Sequence, residues 1–427
     1  MSLTKRIDHR MISATNKADS CIAFSLAWLG IQQYINFAPF IGYAINVYYI
    51  IYWVIFVASF LVYLGTLKSR VILRSNINFL YLLMCIIFVI FRTHLGIKGY
   101  GALLWPLFLI VTLPKELLLK AFDYLRLIFT IILIPSLILY PLIFFGIAFS
   151  IGTVGPMGPE KEFAGDFYIN YVFTYVLNSQ LYHVGMFNPF RLSALFGEPG
   201  FVGTISGLIL AASHFKRDKL NVVIFVSGVL SFSLAFYFII YTYAALNRRD
   251  LFFKMLLPGL ILVFLFLQND PFFQKFFFGR MQIKDGWLAA DHRSNYIFDA
   301  MFLDFIFDPS KISYLFFGHP ILSGSSDSLV PNVYTWKRLV WDFGIIGFIL
   351  YISVFVFYAM HFFRRNMFML SHLLGYFVVF FASIYQRPYV LNELYFLIFA
   401  GAMLLADCRY RQNKLLIRQS VRQIQIS

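Results

Sequence analysis

The side chains best suited to chemistry in this sequence are arginines and acids in polar segments between long apolar runs. Arg191 and Glu198 flank the segment Arg191-Leu-Ser-Ala-Leu-Phe-Gly-Glu-Pro-Gly200, directly before an apolar run. Gly197, Pro199 and Gly200 predict a tight turn before the next helix. An Arg and a Glu at such a position are costly unless they pair or face water. Two interpretations stay open. The pair could form an ion pair that caps the next helix, or Arg191 could bind an anionic group while Glu198 accepts a proton from a hydroxyl or orients it.

A second polar segment contributes Arg280, Arg293, His319 and Asp327. Arginine is the side chain best suited to a diphosphate, because its planar fork bonds two oxygens and keeps its proton. Arginines from separate loops could hold a lipid-pyrophosphate headgroup and stabilise the charge on a departing pyrophosphate. The alternative for each arginine is a solvated loop charge. His319 could act as a base, although a lone loop histidine is more often a bystander.

Arg387 lies in a short connection between the last two apolar runs, where it would face the same cavity or reach the lipid headgroups. No set of histidines and carboxylates has metal-ligand spacing, and arginine charge would make a metal unnecessary. The cysteines Cys21, Cys85 and Cys408 are not paired at disulfide or zinc spacing. No P-loop or dinucleotide-binding glycine pattern is visible. The sequence therefore predicts a site without a metal or a cofactor.

The composition indicates which elements must position these residues. Of the 427 residues, 60% are hydrophobic and only 13% are charged, against about 25% charged in a soluble domain. Such a chain cannot cover a globular surface with polar groups, so a soluble, disordered or disulfide-scaffold protein is excluded. The sequence predicts an all-α polytopic membrane protein.

The long uncharged runs predict about twelve transmembrane helices, since a span needs about 20 apolar residues. The basic clusters between these runs assign the sides by the positive-inside rule. The N-terminus (1–20), the clusters 115–126 and 216–219, and the basic tail (407–427) are expected in the cytoplasm. The net charge of +15 is therefore interpreted as an orientation signal and not as a sign of a nucleic-acid partner.

One apolar segment, 220–247, has basic clusters at both ends and should therefore cross the membrane twice, although it is short for two spans. Its serine-rich centre, Ser227-Gly-Val-Leu-Ser-Phe-Ser233, is the predicted bend. Short helices are tolerated in a membrane when they pack against other helices. If the segment crosses only once, the two large loops fall on opposite faces.

Two long outer loops, 150–198 and 270–338, interrupt a single transmembrane domain (1–427) and carry most of the candidate site residues. Long loops in a compact protein are usually functional. Within the second loop, 294–308 places apolar residues at helical spacing opposite three acids. This pattern predicts a helix that rests on the membrane surface or caps a cavity. A helix that simply packs within the loop is the alternative.

The chain resembles the bacterial O-antigen polymerase family (Wzy-like), which is related to the O-antigen ligases. The resemblance rests on the layout of spans and loops and on these segments: Arg191–Gly200, Leu230-Ser-Phe-Ser233, Ser326-Asp-Ser-Leu329 and Trp341-Asp-Phe-Gly-Ile-Ile-Gly347. It implies a GT-C-like, metal-independent glycosyltransferase that moves an undecaprenyl-pyrophosphate-linked glycan chain onto a new lipid-linked repeat unit. It also implies an inner-membrane protein in contact with membrane lipids, with its active site facing the periplasm and a polysaccharide chain-length regulator as a partner.

The same resemblance implies roles for individual residues. Those that would hold the pyrophosphate are Arg191, Arg280, Arg293 and Arg387. Those that would engage the acceptor hydroxyl or act as its base are Glu198, Asp327 and His319. The ligases place a histidine in the second loop ahead of a leucine-containing signature, whereas here Asp327 stands in the Ser-Asp-Ser-Leu segment. This departure favours a polymerase over a ligase.

Two other functions stay open. An O-antigen ligase, or another lipid-linked sugar transferase, would need the same kind of site. A flippase of lipid-linked oligosaccharide is the other alternative. Transporters tend to show repeated halves and polar residues near mid-membrane, and this sequence shows neither.

Overall fold

The computed structural model describes residues 17–35, 113–155, 165–183, 187–279, 283–284, 287–288, 296–318, 336–363, 369–386 and 393–426. Most of these residues are helical, which confirms the predicted helical class. The described residues divide into two compact units. The first unit comprises 17–35, 113–210 and 214–236, and the second comprises 211–213 and 237–426, with the same gaps.

The regular elements follow one another in this order. The longer helices are α1 (Lys17–Ile35), α2 (Lys115–Phe144), α3 (Pro199–Ala212), α4 (Lys219–Leu230), α5 (Leu234–Asn247), α6 (Leu257–Leu267), α7 (Tyr296–Phe307), α8 (Ile312–Phe317), α9 (Trp336–Phe363), α10 (Met369–Gln386) and α11 (Glu393–Ile426). The strands are β1 (Gly152–Val154), β2 (Tyr168–Asn170), β3 (Tyr175–Leu177), β4 (Ile283–Lys284) and β5 (Trp287–Leu288). Short helical turns of α, 3-10 or π type lie at Asn178–Gln180, Arg249–Leu251, Phe252–Leu256, Pro271–Phe273, Gln274–Phe278 and Pro309–Lys311.

Helix α2 has the length and the composition of a membrane span. Its 30 residues extend over about 45 Å, and it is the one helix among the described residues that is both long and apolar enough to cross a bilayer. The other apolar helices are shorter: Asp19–Ile31, Pro199–Ala212, Lys219–Leu230, Leu234–Asn247 and Leu373–Ile384. The twelve predicted spans therefore stay a prediction.

The first predicted loop contains a small sheet, so the all-α prediction is wrong for this segment. The sheet is antiparallel in the order β1-β2-β3, with Thr153 opposite Ile169 and Ile169 opposite Val176. The β-branched and aromatic residues of 168–177 favour strands. The prediction of a loop between spans at 150–198 gave this local preference no weight.

The predicted bend in 220–247 is confirmed, since α4 ends at Leu230 and α5 begins at Leu234. Between them the chain turns with Phe232 at a positive φ of 44°. The bend brings the ring of Phe236 back against Phe225, with ring centroids 6.1 Å apart. A continuous helix would hold these two residues about 16 Å apart.

The predicted helix in 294–308 is confirmed as α7, and its aromatic face packs within the second unit. Phe298, Phe302 and Phe305 form a buried cluster with Val340 and Trp341 at the start of α9. An ion pair between Lys337 and Asp299 (2.7 Å) joins the same two helices. Packing against α9 is therefore one role of α7, as the alternative interpretation expected.

Two glycines let α8 cross α9 at close range. Helix α9 is kinked at Gly344, where φ is 68°, and Gly318, directly after α8, has a φ of 91°. A Cβ on Gly344 would overlap the carbonyl of Phe316, and a Cβ on Gly318 would overlap the carbonyl of Asp342. Only glycine tolerates both the positive φ and this backbone contact.

Candidate functional site

The segment that leads into α3 is held by hydrogen bonds on two sides. On one side, the backbone N–H of Leu192 donates to the carbonyl of Leu230 at the end of α4 (2.9 Å). On the other side, the N–H of Tyr175 in β3 donates to the carbonyl of Ala194 (3.1 Å), and the hydroxyl of Ser193 donates to the carbonyl of Tyr175. The segment is therefore a fixed part of the first unit, with its backbone orientation set by both the sheet and the bend.

Arg191 is held inside this arrangement. Its side chain is buried, with 8% of the residue exposed, and Nε donates to the carbonyl of Ser231 in the bend between α4 and α5 (3.2 Å). A buried guanidinium stays charged, so each of its N–H groups needs an acceptor. The hydrogen bond to the Ser231 carbonyl holds Nε of Arg191 against the bend.

The bend approaches α3 closely at Gly203. A Cβ on Gly203 would overlap the Cβ of Ser233 and lie 2.9 Å from the hydroxyl oxygen of Ser231. The Ser231 hydroxyl itself donates to the carbonyl of Gly228 (2.6 Å). Because Gly203 has no side chain, the serine bend can sit against the first turns of α3, which brings the partner of Arg191 beside that helix.

Glu198 lies directly before the first turn of α3. Its carbonyl accepts the backbone N–H of Phe201 (3.1 Å), and Pro199 occupies the first helical position, where its missing N–H leaves no helical hydrogen bond unmade. The preceding residue is anchored as well, because the phenol of Tyr168 donates to the carbonyl of Gly197 (2.9 Å). The predicted turn before α3 is thus confirmed, and Glu198 is placed at the positive end of the helix dipole.

Tyr175 is a polar residue of this region that the sequence did not indicate. It is 3% exposed, and burial raises the pKa of its phenol, so the hydroxyl keeps its proton at physiological pH. Among the described residues, no atom makes a hydrogen bond with that hydroxyl. A sequence signal for Tyr175 is its position in a strand-favouring segment upstream of Arg191. Its contact with Ser193 has no signal in the sequence.

A second buried arginine, Arg126 of α2, lies at the other end of the first unit. Its Nη2 is 2.6 Å from Oδ2 of Asp218 and 3.0 Å from Oδ1 of Asn221, and its Nη1 is 3.3 Å from Oδ1 of Asp123. The Arg126 side chain is 7% exposed, whereas those of Asp218 and Asp123 are 27% and 46% exposed. The Asp218 carboxylate also caps α4 by accepting the N–H of Asn221. This cluster fixes α2 against α4 and has the character of a structural clamp.

The structure brings together two of the segments that carry the family resemblance, Arg191–Gly200 and Leu230–Ser233, through the contacts of Arg191 and Leu192. The other candidate residues lie outside the described residues, namely Arg280, Arg293, His319, Asp327 and Arg387. Their convergence with Arg191 and Glu198 stays a prediction.

Fold and site together define a mainly helical, strongly apolar protein with a buried arginine and a half-buried glutamate at the entry to a helix. Among the described residues, no group of three or more His, Cys, Asp or Glu side chains could hold a metal ion. No protein-family model, curated protein or solved structure matches the chain.

Proposed function

We propose that the chain is a surface-polysaccharide polymerase of the inner membrane. It transfers a glycan chain from undecaprenyl pyrophosphate onto a new lipid-linked repeat unit. The observation that carries the proposal is Arg191, a buried cation that donates to the Ser231 carbonyl and lies in the segment leading into α3. A guanidinium is suited to a phosphate group, because its planar fork bonds two oxygens and keeps its charge.

The layout of the first unit supports a membrane-spanning α2 with the site at its outer end. Near one end, Arg126 pairs with Asp218, so the basic segments 115–126 and 216–219, both expected in the cytoplasm, are in direct contact. Near the other end, the phenol of Tyr140 donates to the carbonyl of Phe190 (3.0 Å). The carbonyl of Phe144 also accepts the N–H of Asn188, and from Arg126 to Phe144 the helix rises by about 27 Å, close to the hydrocarbon thickness of about 30 Å. This separation supports a periplasmic position for the segment that bears Arg191.

The proposed reaction breaks the bond between the anomeric carbon of the donor glycan and its pyrophosphate oxygen. A hydroxyl of the acceptor repeat unit forms the new bond to that carbon and loses its proton to a base. Undecaprenyl pyrophosphate leaves with the bond electrons, and Arg191 stabilises the charge that develops on it. Glu198, at the entry to α3, is the described residue suited to accept the proton or to orient the hydroxyl. Arg280, Arg293 and Arg387 are proposed to add to the pyrophosphate site, and Asp327 and His319 are the further candidates for the base.

The surface-polysaccharide ladder of a strain that lacks the protein distinguishes the candidate functions. Loss of a polymerase leaves lipid A-core with a single repeat unit, because ligation of one unit still occurs. Loss of a ligase or of a flippase leaves bare core. A knockout that shows bare core would therefore reject the polymerase.

Variants then test the site. Arg191→Ala, Glu198→Ala and Arg280→Ala are expected to reduce the ladder to one unit while the protein still inserts. Arg249→Ala is the matched control, since Arg249 is exposed next to the end of α5 and is expected to keep the full ladder. Full ladders from all three site variants would reject the site assignment. Purified protein with synthetic lipid-linked repeat units provides the direct assay.

A further inference from the structure

An exposed apolar surface continues beyond the end of α2. Ile147, Phe149 and Ile151 are 60%, 91% and 57% exposed in the segment that joins α2 to β1. Between Ile147 and Phe149, Ala148 packs against the buried cluster of Ile143, Val176 and Phe190. The N–H groups of Ile147 and Ala148 both donate to the carbonyl of Leu142, so a folded backbone presents the exposed side chains.

This surface continues one exposed face of α2. The large apolar side chains on that face are Leu127, Ile131, Ile134, Ile138 and Leu142, all between 39% and 64% exposed. They follow each other at intervals of three or four residues, so they form one stripe along the helix. Phe145, which is 54% exposed, joins the stripe to Ile147. From Leu127 to Pro159 the sequence contains no charged residue.

The backbone limits how deep this segment can lie in a membrane. The uncharged part of α2, from Leu127 to Phe144, covers about 27 Å, close to the thickness of the hydrocarbon core of about 30 Å. The segment that follows is not helical, and β1 is an edge strand of its sheet. The outer backbone groups of an edge strand need water or headgroups and cannot be buried in hydrocarbon.

We propose that residues 145–151 form an interfacial anchor, in which Ile147, Phe149 and Ile151 insert among the headgroups and upper acyl chains of the outer leaflet. The inference rests on the part of the proposed function that places α2 across the membrane. Its occupant is the lipid bilayer, because the anchor continues the lipid-facing stripe of α2 at the depth where the hydrocarbon ends.

The anchor would set the height of the candidate site above the membrane. The N–H of Asn188 donates to the carbonyl of Phe144 (2.7 Å), and the carbonyl of Phe190 accepts from Tyr140. Residues 188–190 are thus tied to the end of α2, and Arg191 follows directly. Fixing this end at the bilayer surface places Arg191 at the level of a diphosphate whose polyprenyl tail remains in the membrane.

A fluorescent probe on single cysteines tests the anchor. Cys21, Cys85 and Cys408 are replaced by serine, and the NBD fluorophore is attached to Phe149→Cys or to the control Ser179→Cys. Both positions are exposed, but Ser179 lies in the polar turn after β3. The proteins are placed in nanodiscs of phosphatidylethanolamine and phosphatidylglycerol. The probe at 149 is expected to emit at shorter wavelength, to be quenched by lipids that carry a nitroxide near the headgroup, and to be several-fold less quenched by aqueous iodide than the probe at 179.

Three results would overturn the anchor. Equal iodide quenching at both positions would place residue 149 in water. Protection that appears only after addition of undecaprenyl pyrophosphate would assign the surface to a substrate tail. Disulfide formation between two copies of Phe149→Cys, with no lipid quenching, would assign it to self-association. The measurement needs no catalytic activity, so a lipid-quenched probe together with a full ladder from the site variants would reject the transferase and keep the anchor.

Discussion

Gly203→Ala is expected to separate α3 from the serine bend that holds Arg191. The new methyl group would overlap the Cβ of Ser233 and lie 2.7 Å from its hydroxyl oxygen. Overpacking of this kind costs typically about 1–3 kcal/mol, whereas replacing glycine by alanine within a helix contributes about 1 kcal/mol in the opposite direction. The bend is tied to Leu192 and Arg191 by hydrogen bonds, so it cannot move away freely.

The matched control is Gly259→Ala in α6, where a Cβ would meet no atom within 4 Å. The control has the gain of about 1 kcal/mol without the overlap, so the two variants should differ in unfolding free energy by about 2 kcal/mol. At roughly 2 °C per kcal/mol for a large chain, the midpoint of thermal unfolding should differ by about 4 °C. Fluorescence-detected thermal unfolding in one detergent measures both variants side by side.

A further substitution distinguishes the overlap from a general effect on α3. Ser233→Gly removes the Cβ and the hydroxyl that the new methyl group meets, so in the Gly203→Ala background it should restore most of the lost stability. If Gly203→Ala is as stable as Gly259→Ala, or if Ser233→Gly brings no recovery, the close approach of the bend to α3 is refuted.

The remaining predictions concern single contacts. Arg126→Met should lower the unfolding free energy by about 2 kcal/mol, less than for a fully buried pair because water can reach Asp218. Lys311→Met, in an exposed ion pair that solvent screens, should leave the midpoint of thermal unfolding nearly unchanged. Equal midpoints of thermal unfolding for these two variants would contradict the conclusion that Arg126 fixes α2 against α4. Gly344→Ala should destabilise by at least about 1 kcal/mol, because alanine must adopt a positive φ of 68° against the carbonyl of Phe316; an unchanged midpoint would show that the kink is not required. Hydrogen bonds from Ser310 lower the pKa of Asp308, so this carboxylate stabilises its turn above its ordinary pKa of about 3.9 and loses that effect as the pH falls through the lowered pKa. The protection factor of the Ser310 amide, which is its exchange relative to the intrinsic rate at each pH, should therefore fall on acidification in the native protein and stay constant in Asp308→Asn. Parallel protection profiles would refute this.

The features that sequence reasoning predicted correctly depend on neighbours along the chain. The bend at Ser231–Ser233 follows from a serine-rich centre between two apolar runs. Helix α7 follows from apolar residues at helical spacing, and the start of α3 follows from Pro199. In each case the information lies within about one or two helical turns, the range over which propensity and periodicity act.

The first loop was only partly predictable. Its boundary and its candidate residues Arg191 and Glu198 could be found, but its sheet could not, because an apolar run of strand length cannot be told from a helix by periodicity alone. The partners of the candidate residues were also out of reach. Ser231, which accepts from Arg191, is 40 residues away, and Asp218, which pairs with Arg126, is 92 residues away.

By itself, the sequence determined that this protein is helical, strongly apolar and equipped with arginines suited to an anionic ligand, because composition and local spacing carry that information. Only the tertiary structure decided that Arg191 is buried and donates to the Ser231 carbonyl, and that Gly203 admits the bend against α3. Such contacts form when segments far apart in sequence pack together. Their directions depend on backbone geometry that no single segment encodes.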